Sequence, residues 1–247
     1  MTTLDWDARS YDRIADPQAR WGRAVLDRLP LTGDERVLDA GCGSGRVTES
    51  LAERLPRGHL VALDQSAAML DEARRRLARF GDRVEFVVAD LGRPLPVDPV
   101  DAILSTATFH WVPDHDMLFR NLAAVLHPGG RLVAQFGGVG NIERLLQVVE
   151  GLGQPRHGQH HFETAEATDR RLREAGFEAV ETWLSEEPTS FATRQELETF
   201  LATVCLRAHL PRIPERDRAA FVAAVADRLP GHAIDYVRLN IAARRPG

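Results

Sequence analysis

Between Val37 and Arg46 the chain reads VLDAGCGSGR, an acid followed by glycines at 41, 43 and 45. Glycine lets a backbone turn sharply and approach a ligand closely, and a helix start leaves N–H groups free to bind it. Asp39, two residues before Gly41, suits a ligand with a cationic amino group better than a diphosphate. A nicotinamide dinucleotide site would want G-x-G-x-x-G, and Arg46 stands where its last glycine should be. Asp64 closes the apolar run LVALD; a carboxylate there can accept both hydroxyls of a ribose. Its alternative use is as a helix cap, a role Ser66 already offers. Asp90, followed by Leu91, ends a third such run. Acids at the ends of successive strands point to a ligand at that edge of a sheet.

The elements that must position these acids alternate between strand and helix patterns, the signature of an α/β fold with a doubly wound, mostly parallel sheet. Asp16-Pro17 starts an amphipathic helix whose stripe is Ile14, Gln18, Trp21, Val25 and Leu29. Strands are expected at 36–40, 60–64, 84–89, 100–105 and 131–136. The helices between them are capped by Ser66 and Asp114 and stopped by Pro56, Gly81 and the run His127-Pro128-Gly129-Gly130. Beyond Gly138 the rhythm loosens. Helices are expected at 141–152, 164–175 and 214–229, another is capped by Thr193 with Glu196, and a last strand at about 234–243 carries Val237, Leu239 and Ile241 on one face. This describes one domain with a helical insertion before its last strand.

Net charge is −5 and evenly spread, which leaves no footprint for nucleic acid or an anionic membrane surface. Every one of the 31 basic residues is arginine, so lysine Schiff-base chemistry is excluded. Cys42 and Cys205 form no metal or disulfide pattern, and no run is long and apolar enough to span a bilayer or serve as a signal peptide. A reduced, cytoplasmic setting is expected. His157, His160 and His161 lie with Glu163 in an aperiodic stretch that reads as a solvated loop, not a metal site, and no metal is expected elsewhere.

The run VLDAGCGSGRVTESLAERLPRGHLVALDQSAAMLDEARRRL, with VVAD at 87–90 and LHPGGRLVAQFGG at 126–138, resembles the class I S-adenosylmethionine-dependent methyltransferases. The N-terminal W-D-x-x-x-Y-D and T-F-H-W-V-x-D-H at 108–115 resemble the trans-aconitate methyltransferase branch. The resemblance covers about residues 10–138. It implies a Rossmann-like seven-stranded sheet in a single domain over 1–247, made of lid helices in 1–33, a cofactor core in 34–138 and a substrate side in 139–247. It also implies S-adenosylmethionine as cofactor and a small-molecule acceptor, with no nucleic acid or membrane partner. Asp39 and the Gly41, Gly43, Gly45 turn would hold the methionine part, and Asp64 the ribose, with Gln65 and Met69 beside the adenosine. Asp90 and Leu91 would meet the adenine, Thr106 would sit near the sulfonium, and Gln18 would help close the site.

Phe109, His110 and Trp111 follow the fourth strand, where the methyl group would leave; Trp21 joins them as an acceptor-side candidate. Aromatic faces stabilise a cation, and His110 is a candidate proton acceptor at neutral pH. The alternative is that Phe109 and Trp111 pack a lid while His110 orients a loop. O-methylation of a carboxylate is the favoured reaction. It needs a convergent arginine, and the sequence singles out none. A non-catalytic S-adenosylmethionine-binding protein and a nicotinamide-dependent oxidoreductase are the rival readings; the sequence carries no signal for oligomeric state.

Overall fold

The computed structural model describes residues 16–156 and 160–247, with side chains from Arg20 onward. A central strand of a parallel sheet is buried on both faces and therefore reads as an apolar run. The segment Arg36–Ala40 (β1) is such a strand, with Val37, Leu38, Asp39 and Ala40 all buried. It lies between His59–Asp64 (β2) and Val100–Thr106 (β4); Val84–Val88 (β3) sits beyond β2 and Leu126–Gly137 (β5) beyond β4. Glu178–Glu186 (β6) and Val237–Arg244 (β9) complete a seven-stranded sheet in the order β3-β2-β1-β4-β5-β9-β6. β9 runs antiparallel to both β5 and β6, while β1 to β5 pair in parallel. The pair Thr189–Ser190 (β7) and Ala233–Ile234 (β8) forms a separate ribbon.

On one face of the sheet lie Asp16–Leu26 (α1), Arg46–Glu53 (α2) and Ala67–Leu77 (α3), burying Val25, Leu26, Leu51 and Leu70. On the other, His115–Val125 (α4) and Ala165–Glu174 (α6) bury Leu118, Phe119, Leu122 and Leu172. Glu143–Gly151 (α5), Arg194–Phe200 (α7) and Glu215–Ala226 (α8) form a third cluster that also takes in Trp21 and Tyr236. The caps read from the sequence at Ser66, Asp114 and Thr193 are made, and Thr164, expected inside its helix, caps it instead. Ser66 accepts from the Met69 N–H, Asp114 from Met117, Thr164 from Ala167 and Thr193 from Glu196. No helix among the described residues is long and apolar enough to cross a membrane.

Three of the boundary differences from expectation have a clear local cause. The helix expected to close at Gly81 stops at Leu77, and a 3₁₀ turn over Ala78–Arg83 follows, because Gly81 at φ +55° interrupts the helical ladder. β5 begins at Leu126, not Arg131: Leu126 pairs with Val100 and Arg131 with Ala102, so His127–Gly130 bulge from the strand around Gly129 at φ +78°. The last strand is broken at Asp235–Tyr236, where the Asp235 carboxylate accepts from the Arg144 N–H (2.9 Å) at the start of α5. In β9 the buried face toward α4 and α6 carries Leu239, Ile241 and Ala243, while Arg238 and Asn240 are buried on the opposite face. That strand is not amphipathic.

Register brings the ligand edge together. Asp39 pairs with Ala62 and Leu104, Asp64 with Val88, Thr106 with Gln135, and Gly137 with Arg238. The carboxyl ends of β1 to β5 and the amino end of β9 therefore share one edge.

Candidate functional site

The glycine turn leaves β1 with Gly41, Gly43 and Gly45 at φ +85°, +54° and +83°, a left-handed run that only glycine adopts freely. The Gly41 and Cys42 N–H groups both donate to the Leu63 carbonyl (2.8 and 2.9 Å), tying the turn to β2. A Cβ on Gly41 would overlap the Thr108 side chain, whose single hydroxyl proton is shared between the Gly41 carbonyl (3.1 Å) and the Thr106 carbonyl (3.0 Å). Gly41→Ala is therefore expected to destabilise the protein by about 2–4 kcal/mol, combining overpacking with backbone strain. Chemical denaturation showing wild-type stability would refute that packing. At Gly43 a Cβ would meet no atom of the described residues within 4 Å, so among these the turn presents bare backbone.

Two carboxylates flank that space. Asp64 Oδ2 accepts the Gly43 N–H and Oδ1 the Ser66 N–H, each at 2.9 Å. Burial pushes the Asp64 carboxyl up, against the backbone N–H groups of Ser66, Gly43 and Gln65 that pull it down. Asp39 is 1% exposed. Its Oδ2 accepts the Thr48 hydroxyl (2.7 Å), and its Oδ1 is buried with no hydrogen-bond partner. Burial, opposed by the Thr48 bond and assisted by the charge of Asp64, raises its pKa to about 7. A buried acceptor lacking a donor is a place for a ligand's N–H. Cys42 is buried in the same turn, and burial raises its thiol, so it packs and does not react.

Farther along the edge, Asp90 is exposed and accepts the Gly92 N–H (2.9 Å). Leu91 and Met69 are buried, Gln65 is exposed, and the Asn121 amide fixes the Leu91 carbonyl (3.0 Å). Thr106 is the last residue of β4, one position inside the strand that was expected to end before it. The Gln18 side chain and the W-D-x-x-x-Y-D segment lie outside the described residues.

The residues after β4 form a 3₁₀ turn over Phe109–Trp111, and this turn sorts their side chains. Phe109 is fully buried against Phe136 (centroids 5.4 Å) and Phe119 (6.1 Å); it is core and does not face an acceptor as expected. His110 is 8% exposed, and its Nδ1 accepts the Gly137 N–H (3.3 Å) at the end of β5. Burial first, then the charges of Arg238, His160 and His115, hold its pKa well below 6.5. Neutral, with Nδ1 occupied as an acceptor, the ring carries its proton on Nε2 and is a donor there. Trp111 remains exposed at 38%.

The histidine-rich stretch is not a solvated loop over its described part. His160 is half-buried, stacked on Phe162 (5.1 Å, 8°) and packed on Trp111 (4.4 Å). The His161 N–H donates to the His110 carbonyl (2.8 Å), and the Val139 N–H to the Glu163 carbonyl (2.9 Å). Arg171 pairs with Glu163 and Asp116 (3.1 and 3.0 Å), so 160–163 form a strap across the turn. Burial and His209 lower His160 to a pKa of about 4. His157 lies outside the described residues, and among those described no His, Cys, Asp and Glu group is arranged to hold a metal.

Sequence reasoning missed Thr48, Thr108 and Arg238. Arg238 is 3% exposed beside the site and lies over the Trp21 ring (4.7 Å to its centroid); Trp21 is itself buried against Tyr236 (4.8 Å). The signal that could have found it is a charged residue two places before Asn240 in an otherwise apolar strand.

The methyltransferase domain family matches residues 37–130. The chain is 38% identical over 185 residues to a trans-aconitate 2-methyltransferase of Methylobacterium nodulans, spanning 73% of this chain and 67% of that one. It is 30% identical over 242 residues to the protein of the same description in Paracidovorax citrulli, spanning 89% and 87%. Other bacterial proteins of that description align over about half of their length. Among solved structures, phosphoethanolamine N-methyltransferase 2 of Haemonchus contortus, in complex with phosphomonomethylethanolamine and S-adenosylhomocysteine, shares the fold. The TM-score is 0.67 at 21% identity, over 97% of this chain and 57% of that one.

Proposed function

Since this chain belongs to the class I S-adenosylmethionine-dependent methyltransferases, in the branch of the trans-aconitate 2-methyltransferases, we propose that it methylates a carboxylate oxygen of a small organic acid. It is an enzyme whose cofactor is S-adenosylmethionine, which displaces the nicotinamide and non-catalytic readings. When bound, the cofactor supplies an electrophilic methyl group on a sulfonium sulfur. The residues present fit it: the unpartnered Asp39 Oδ1 suits a cationic amino group, and the open space at Gly43 leaves room beside the turn. Asp39 and the glycine turn would hold the methionine part, Asp64 the ribose hydroxyls, and Asp90 the adenine amine, between Leu91, Met69 and Gln65. Thr106 would border the sulfonium.

The observation that carries the carboxylate reading is the hydrogen bond from the Gly137 N–H to His110 Nδ1. A hydroxyl or an ammonium must lose a proton to become a nucleophile, whereas a carboxylate arrives without one at neutral pH. His110 offers a donor, its Nδ1 being occupied, and burial lowers the pKa of His115 and His160 beside it, which makes both weak bases. A site of this kind orients an anion that is already nucleophilic, so its contribution is positioning and exclusion of water. The His160–Phe162 strap and Trp111 serve the second task.

The test is transfer of labelled methyl to a panel of carboxylic acids, alcohols, phenols and amines, with the product assayed for alkali-labile ester. Turnover of an amine or alcohol, with the acids inert, would overturn the reading. For His110 the expected result is a pH profile. At saturating cofactor, kcat carries no limb near pH 6.5 that belongs to this residue, because its imidazole is neutral well below that pH. His110→Gln, which keeps an N–H, retains most activity, whereas His110→Phe loses about 10–150-fold, the worth of one hydrogen bond to a charged group. A limb near pH 6.5 that vanishes in His110→Gln would make His110 the base.

A further inference from the structure

Arg238 enters at the amino end of β9, in register with Gly137 of β5, the residue whose N–H fixes His110. Its guanidinium lies over the Trp21 ring at 4.7 Å, and both residues are more than nine-tenths buried. The Trp21 Nε1–H is buried and has no hydrogen-bond partner. An indole N–H can only donate, so it is satisfied only when an acceptor atom arrives. A guanidinium stacked on an aromatic face is held with its planar fork pre-oriented, and that fork matches a carboxylate. Helix α1 and strand β9 thus bring a fixed cation and an unsatisfied donor together, one register position from the turn that carries His110.

We propose that Arg238 and Trp21 anchor a second anionic group of the acceptor, distinct from the carboxylate that is methylated, and so determine specificity; this rests on the carboxylate reading above. The assignment to the spectator group follows from charge. The methylated carboxylate loses its negative charge in the transition state, so a guanidinium paired with it would stabilise the ground state more and slow transfer. Paired with a carboxylate that stays charged throughout, the same guanidinium binds both states equally and acts through KM.

Three acids on related frames serve as probes: trans-aconitate with three carboxylates, glutaconate with two and crotonate with one. Wild type is expected to prefer the first two over crotonate by about 10–150-fold in kcat/KM. Arg238→Gln removes most of that preference by raising KM for the two polyacids far more than for crotonate. Trp21→Phe, which keeps the ring and deletes the N–H, weakens the polyacids at least about tenfold. Calorimetric titration of glutaconate into the S-adenosylhomocysteine complex reports the same order without turnover, and Trp21→Phe keeps the question open to test if Arg238→Gln does not fold. An unchanged preference in Arg238→Gln and Trp21→Phe overturns the anchor and leaves carboxylate methylation standing. Glutaconate binding that depends on Arg238, with no transfer to any of the three acids, supports the anchor and overturns the methylation reading. Neither binding nor transfer overturns both.

Discussion

Gly43→Val is expected to abolish S-adenosylmethionine binding while the protein stays folded. Gly43 sits at φ +54°, where a β-branched residue is strained by about 1–3 kcal/mol, a cost a domain of this size can absorb. Its Cβ would strike no atom of the described residues, so the loss of function is expected to come from what the side chain excludes. That turn is held by the Asp64 carboxylate, which accepts the Gly43 N–H and is one of the groups proposed to receive the cofactor. The contrast with Gly41 is diagnostic: there the added methyl meets Thr108 inside the protein, and the damage is to stability. Calorimetry with S-adenosylhomocysteine, alongside circular dichroism, measures the two separately. Tight binding by a folded Gly43→Val protein would show that the turn does not approach the cofactor.

The second large effect is a pH dependence of cofactor affinity set by Asp39. Burial raises this carboxyl to about 7, so in the ligand-free protein it is protonated at mildly acidic pH. A pKa raised on folding means that the folded state binds more protons than the unfolded one between about pH 4 and 7. Stability of the ligand-free protein is therefore greatest near pH 4 as far as this group is concerned. It falls as pH rises to about 7, by on the order of a few kcal/mol. Pairing with the cofactor's cationic amino group requires the carboxylate, so binding below pH 7 must release the Asp39 proton. Affinity is expected to weaken by up to roughly tenfold per pH unit below about 7. Asp39→Asn should weaken binding at pH 8 by about 10–150-fold, since a charged acceptor is lost, and should abolish the pH dependence. The same variant should flatten the stability slope of the ligand-free protein. Calorimetry in buffers of different ionisation enthalpy counts the proton released; proton-neutral binding by wild type from pH 5.5 to 8 would refute the role of Asp39.

The cofactor side was readable because its devices are local. A strand of RVLDA, an acid, spaced glycines and a helix lie within one stretch of chain, and each follows from what a backbone needs in order to turn and donate N–H groups. The caps at Ser66, Asp114 and Thr193 are equally local, since a hydroxyl or carboxylate reaches an N–H only three residues on. The acids Asp39 and Asp64 could be placed at one edge from strand ends alone, because parallel strands in a doubly wound sheet point the same way.

Tertiary structure decided the acceptor side, where each feature joins segments far apart in the chain. Phe109 and His110 are neighbours, yet the 3₁₀ turn sends one into the core and sets the other on Gly137. The histidines at 160 and 161 lost their solvent because the strap is pinned to His110 and Val139, contacts that no local pattern announces. Arg238 was hidden by a composition in which every basic residue is arginine, and by a strand buried on both faces where alternation carries no information. Its importance exists only once β9 runs antiparallel beside β5 and α1 lays Trp21 beneath the guanidinium. The sequence alone determined the fold class, the glycine turn and the strand-end acids beside it, since these rest on short-range backbone chemistry; which cation and which donors come together beyond β4 was decided by register and helix packing, which sum over the whole sheet.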